Sequence, residues 1–97
     1  MSTIIRKVVG DRSENYVTVS AKWILRPQVE ALEKWLREHR GELDPSSEWI
    51  ADVGFTHRPN ACGGGPPLTR DLMRMCLDAN MEIYLSEYDV AVDESER

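Results

Sequence analysis

Apolar residues alternate with polar ones at both ends of this chain and in its middle, and recur at helical spacing in two stretches between. Thr3–Val9, rich in β-branched residues, reads as a first strand, and Gly10-Asp-Arg-Ser-Glu-Asn15 as a polar connector. From Tyr16 to about Leu25, Val17, Val19, Ala21 and Trp23 share one face, and Tyr16, Thr18, Ser20 and Lys22 the other. These two runs predict a β-hairpin. Pro27 suits the first position of a helix, and Val29, Leu32, Trp35 and Leu36 then form an apolar stripe. Glu30/Lys34 and Glu33/Arg37 are favourable i,i+4 pairs on the other side, and Gly41 after His39-Arg40 is a stop signal. Leu43–Ser47 reads as a loop. Trp49, Ala51, Val53 and Phe55 then alternate with Ile50, Asp52 and Thr56 as a third strand.

Thr69–Ala79 predicts a second helix. Arg70, Asp71, Arg74 and Asp78 crowd into an arc of about 100°, leaving so broad an apolar surface that it needs cover on more than one side. Asn80 suits a left-handed cap, and Met81, Ile83 and Leu85 alternate with Glu82, Tyr84 and Ser86 as the last strand. The order ββαβαβ predicts an α+β two-layer sandwich: a four-stranded mixed sheet with both helices packed on one face. The exposed face would then carry Tyr16, Thr18, Ser20, Lys22, Ile50, Asp52, Thr56 and Tyr84, semi-polar and suited to meeting a partner or a second copy.

At 97 residues, 41% hydrophobic and 30% charged, the chain suits one soluble domain, placed at 1–88. The net charge of −5 is mostly a tail: residues 87–97 hold five acids and one base, leaving 12 acids against 11 bases elsewhere. Residues 89–97 are accordingly expected to be a flexible acidic tail. The neutral body lacks the footprint of nucleic-acid binding. The N-terminus has no long apolar signal region and no window is apolar enough to span a bilayer. With two cysteines and no disulfide framework, these features predict a reduced, cytoplasmic protein.

Chemistry, if present, would gather at Asn60-Ala-Cys-Gly-Gly-Gly-Pro-Pro-Leu-Thr69, a loop entering the second helix. Gly63, Gly64 and Gly65 bare the backbone there; with Arg58, Cys62 and Arg70 they form a candidate anion or small-ligand site. The competing expectation is a strand-to-helix corner whose prolines set direction and whose Thr69 caps the helix. No Lys-Ser/Thr follows the glycines, so the loop is not a P-loop. Cys62 near His57 is the best candidate nucleophile, but no third orienting group or family signature accompanies it, and no catalytic residue is assigned. His39, His57, Cys62 and Cys76 fit no usual zinc spacing, and Glu42, Asp44 and Glu48 lack a calcium-loop rhythm. No metal or cofactor is expected.

The stretch Glu48–Tyr88, through Gly63-Gly64-Gly65-Pro66, Leu68, Leu72-Met73, Leu77 and Ile83-Tyr84, resembles the last third of certain small bacterial domains of unknown function. Some of these are immunity proteins, which neutralise a toxin by binding it. The resemblance implies a binding role and transfers no catalytic residue. The expectation is a small non-enzymatic interaction domain with a protein partner or a homodimer, without nucleic acid or membrane. The alternative is an anion or small-ligand binder, or a minor enzyme, at the Gly63–Gly65 loop.

Overall fold

The computed structural model describes residues 3–89; the expected acidic tail lies, from residue 90 onward, outside them. Strand β1 (Thr3–Val9) turns at Gly10-Asp11 into β2 (Arg12–Val19). Helix α1 (Leu25–His39) ends in a short 3₁₀ turn at Arg40–Glu42, followed by β3 (Trp49–Thr56), α2 (Arg70–Ala79) and β4 (Met81–Tyr88). The sheet order is β2-β1-β3-β4, with β1 antiparallel to both neighbours and β3 parallel to β4.

Both helices lie on one face of this mixed sheet, as the periodicity predicts. Val29, Leu32 and Leu36 of α1 and Leu72, Met75, Cys76 and Ala79 of α2 pack in one buried cluster with Ile5, Val19, Trp49, Ala51, Val53 and Phe55. Burial of these side chains is the main stabilising contribution to the domain.

The hairpin departs from expectation. Gly10 at φ +65° closes the turn directly, so Arg12–Asn15 form strand rather than connector. Being an edge strand open to solvent, β2 tolerates polar residues on both faces there. A bulge then breaks its register: Ile5 faces Val17 while Arg6 faces Asn15, so Tyr16 is the extra residue. Tyr16 thereby turns to the helix side, its ring edge-on to Trp49 at 5.2 Å and to Trp35 at 6.5 Å. The strand stops at Val19, leaving Ser20 and Lys22 in the connection to α1. Trp23 is buried outside the main cluster, stacked on Tyr88 at 5.5 Å.

Helix α1 begins two residues before Pro27 and has no side-chain N-cap. The fully buried Gln28 supplies the tie instead. Its amide nitrogen donates to the Lys22 carbonyl at 3.0 Å, and its amide oxygen accepts from the Thr3 hydroxyl at 2.9 Å. One side chain thus joins β1, the β2–α1 connection and α1, as a buried polar group requires. Helix α2 ends as expected, with Asn80 left-handed at φ 60° and its side chain donating to the Ser47 carbonyl at 2.8 Å.

Candidate functional site

The face turned away from the helices is built by alternation. Ile4 stands beside Thr18 and Asp52, Arg6 beside Ile50, and Asp52 beside Tyr84. At its centre the Arg6 guanidinium lies 3.3 Å from the Asp52 carboxylate, which also accepts from the Ser86 hydroxyl at 2.5 Å. The pair is half-sheltered, with 33% and 17% of the two side chains exposed, so water screens it only in part. Of the residues expected on this face, Thr18, Ile50, Asp52, Thr56 and Tyr84 are there; Tyr16 is behind the sheet and Ser20 and Lys22 lie beyond the strand. Arg6 and Ser86 went unpredicted because an arginine in a β-branched run and a serine near a strand end carry no signal of partnership across three strands.

Strand β4 closes the sheet on one side and leaves an open edge. Beside it run exposed apolar side chains: Leu77 is 79% exposed, Leu85 53%, and Met73 and Tyr84 50% each. Met73 and Leu77 belong to the broad apolar arc that the sequence expected to need a second cover. Asp71, Arg74 and Met75 line the cleft facing Arg37 and Arg40 of α1. At about 100° per residue, Met73 lies about 110° and Leu77 about 150° round from the centre of the buried Leu72, Met75, Cys76 and Ala79, so Met73 turns to the flank away from Arg37 and Arg40 and Leu77 to solvent.

The glycine loop is exposed, with Gly63 and Gly64 at φ +91° and +77°. Only residues without a Cβ hold such angles cheaply, which accounts for the glycines as a turn. Two arginines approach its last glycine. Arg26 donates to the Gly65 carbonyl at 3.5 Å, and the Arg58 guanidinium stands 3.8 Å from where a Gly65 Cβ would sit. Arg70, the first residue of α2, is exposed, as is Cys62.

At the start of α2, the Thr69 hydroxyl accepts from the Leu72 amide at 3.0 Å and donates to the Glu33 carboxylate of α1 at 2.5 Å. Arg37 holds the same carboxylate at 3.1 Å and approaches Asp71 at 3.9 Å. The negative charge that a helix start attracts is therefore supplied from within the chain. Between α1 and Pro66, Pro67 and Thr69 lies an open cleft of about 420 Å³, its rim mixing Arg26, Glu30, Glu33 and Lys34. A second cleft of about 320 Å³ sits at the end of β3, lined by Ile24, Thr56, His57, Arg58 and Pro59.

His57 lies 3.9 Å from the Glu87 carboxylate, and among the described residues no hydrogen bond joins it to Cys62. Cys76 is core, and burial pushes its thiol up to about 11. Among the described residues no three His, Cys, Asp or Glu side chains converge as a metal would need. Of the loop acids, Glu42 is held below the usual carboxylate range by hydrogen bonds from the His39 ring at 2.7 Å and the Tyr16 hydroxyl at 3.1 Å. The same bond raises Tyr16 above its ordinary value. Asp44 is lowered by the Ser46 backbone N–H at 2.9 Å and the Ser46 hydroxyl at 2.8 Å, a local turn. Among the described residues no helix is long and apolar enough to cross a membrane. No family model, curated protein or solved structure matches the chain, so the site is read from its own geometry.

Proposed function

We propose that this chain is a protein-interaction domain that acts by binding rather than by catalysis. The observation carrying this reading is the half-exposed Leu85 on the open edge strand β4, together with the exposed Met73 and Leu77 on α2. Small domains seldom leave large apolar side chains grouped against unpaired strand groups, because both invite a partner. The semi-polar face around Arg6, Asp52, Ser86, Ile50 and Tyr84 reaches the same edge from the other side of the sheet. An immunity-like role, in which binding blocks a toxin, is one form of this reading and draws on the resemblance of the Glu48–Tyr88 stretch.

The test is site-specific photo-crosslinking in producing cells. A crosslinker at Leu77 or Tyr84 should give a discrete adduct that Leu85→Lys weakens, while one at Arg12 on the opposite edge should not. Adducts absent from both Leu77 and Tyr84, or equally strong at Arg12, would count against it.

A second reading rests on the approach of Arg26 and Arg58 to Gly65 beside the larger cleft. It makes the loop an anion or small-ligand site. Phosphates, nucleotides or carboxylates should then raise the melting temperature, and Arg58→Ala should abolish the rise. A flat response across the panel removes this reading.

A further inference from the structure

We propose that the partner at the β4 edge is a cationic extended segment of another protein, added to the sheet as a further strand in which apolar and basic residues alternate. The inference rests on the interaction reading above and names the chemistry of its partner.

The phase of the free edge follows from bonds already made. The Trp49 amide donates to the Asn80 carbonyl at 3.0 Å and the His57 amide to the Tyr88 carbonyl at 2.7 Å. Register between β3 and β4 runs unbroken from Trp49/Met81 to Thr56/Tyr88. Even-numbered residues of β4 therefore bond to β3, and Ile83, Leu85 and Glu87 direct their N–H and C=O groups outward. An extended peptide laid along such an edge continues the ladder.

Side chains set the apolar half of the partner. Ile83, packed against the core, and Leu85, 53% exposed, stand on the helix side of the edge, while the exposed Glu82 and Tyr84 stand on the far side. An added strand repeats this alternation whichever way it runs, because its own side chains change face at each residue. Its residues beside Ile83 and Leu85 are accordingly apolar.

Charge sets the other half. Residues 1–81 hold 11 acids and 11 bases, so the whole net charge of −5 lies from Glu82 onward. There Glu82, Glu87, Asp89, Asp93, Glu94 and Glu96 are set against Arg97 alone. Strand β4 contains no lysine or arginine. Among the described residues Glu82 has no ion-pair partner, and Glu87 has only the His57 ring at 3.9 Å. A second copy of this edge would bring the same carboxylates, and a nucleic acid would bring phosphates; both are repelled. A lysine or arginine opposite Tyr84 lies against its ring and within diagonal reach of Glu82. A base beyond the last apolar residue meets Glu87 and Asp89.

The experiment uses the whole 97-residue chain and synthetic peptides with blocked ends. Each peptide has about nine residues, an ordinary strand length. The probe alternates lysine and valine. One control alternates glutamate and valine, and a second gathers the lysines at one end. In an amide-resolved NMR titration the probe should bind with a Kd below about 1 mM, with the largest shifts at Ile83, Tyr84 and Leu85. Both controls should bind at least ~10-fold more weakly. Glu82→Gln with Glu87→Gln, both exposed and compatible with folding, should weaken the probe ~3–10-fold with circular dichroism unchanged. Raising salt from about 20 mM to about 150 mM should weaken the parent more than this variant. N-methylation of the valine amides blocks an antiparallel ladder and of the lysine amides a parallel one, so one of these two modified probes should lose binding. Absence of probe binding, equal binding by either control, or binding by both N-methylated probes overturns the proposal. If crosslinking in cells persists at Leu77 and Tyr84 while the lysine–valine probe fails, only the partner's chemistry is wrong; loss of both defeats the interaction reading too.

Discussion

Replacing Thr69 by alanine tests whether the loop before α2 is architecture. The Thr69 hydroxyl holds the Leu72 amide and the Glu33 carboxylate at once, so truncation removes a helix cap and a tie between the helices. Loss of such a cap costs about 1 kcal/mol. A hydrogen bond to a carboxylate is worth about 1.5–3 kcal/mol. With 24% of the Glu33 side chain exposed and Arg37 still bound to it, water recovers part of that value. The expected destabilisation is about 2 kcal/mol, a fall of roughly 8–16 °C in melting temperature for a domain of this size. Urea unfolding measures it directly, and a cycle with Glu33→Gln should return a coupling of about 1 kcal/mol. Arg70→Ala, at an exposed first-turn position, should stay within about 0.5 kcal/mol of the parent. A near-neutral Thr69→Ala, or an Arg70→Ala costing as much, would refute the reasoning.

Thiol titration at pH 8 should label exposed Cys62 promptly and Cys76 only after unfolding, since burial pushes the latter up to about 11; equal rates would contradict its placement. Glu42 and Asp44 are held below their ordinary values when folded, so each stabilises the fold above about pH 4 and loses that contribution as pH falls through its depressed folded value. Glu42→Gln with Asp44→Asn should flatten the acid limb of urea midpoint against pH, and an unchanged slope would disprove it. At position 80, alanine must hold a left-handed φ and loses the bond to Ser47, costing about 2 kcal/mol, whereas glycine loses only the bond, at about 1 kcal/mol or less. Alanine tolerated better than glycine would contradict the cap.

The layer architecture was legible because burial imposes periodicity: Val29, Leu32 and Leu36, Leu72, Met75 and Cys76, and Trp49 through Phe55 all face one core. What escaped reading was decided by long-range pairing. The bulge at Tyr16 exists only relative to β1, and by adding one residue it moves the tyrosine across the sheet. Gln28 looks like an ordinary polar helix residue until β1 and the β2–α1 connection close over it. Strand order, likewise unreadable from one strand at a time, made β4 an edge and turned the surplus apolar arc of α2 into a flank of that edge. At the glycine loop both expectations rested on local residue types. The partner that bears on them, Glu33, comes from the other helix.

Amide hydrogen exchange along β4, followed by NMR of the isotope-labelled chain alone and in extract of the producing cells, probes the working surface most directly. Glu82, Tyr84 and Ser86 bond inward and should be protected throughout, while Ile83 and Leu85 should gain protection only as the edge is covered. Ile83 and Leu85 amides that exchange as freely in extract as alone, with new protection arising instead at Gly63–Gly65, would contradict the account.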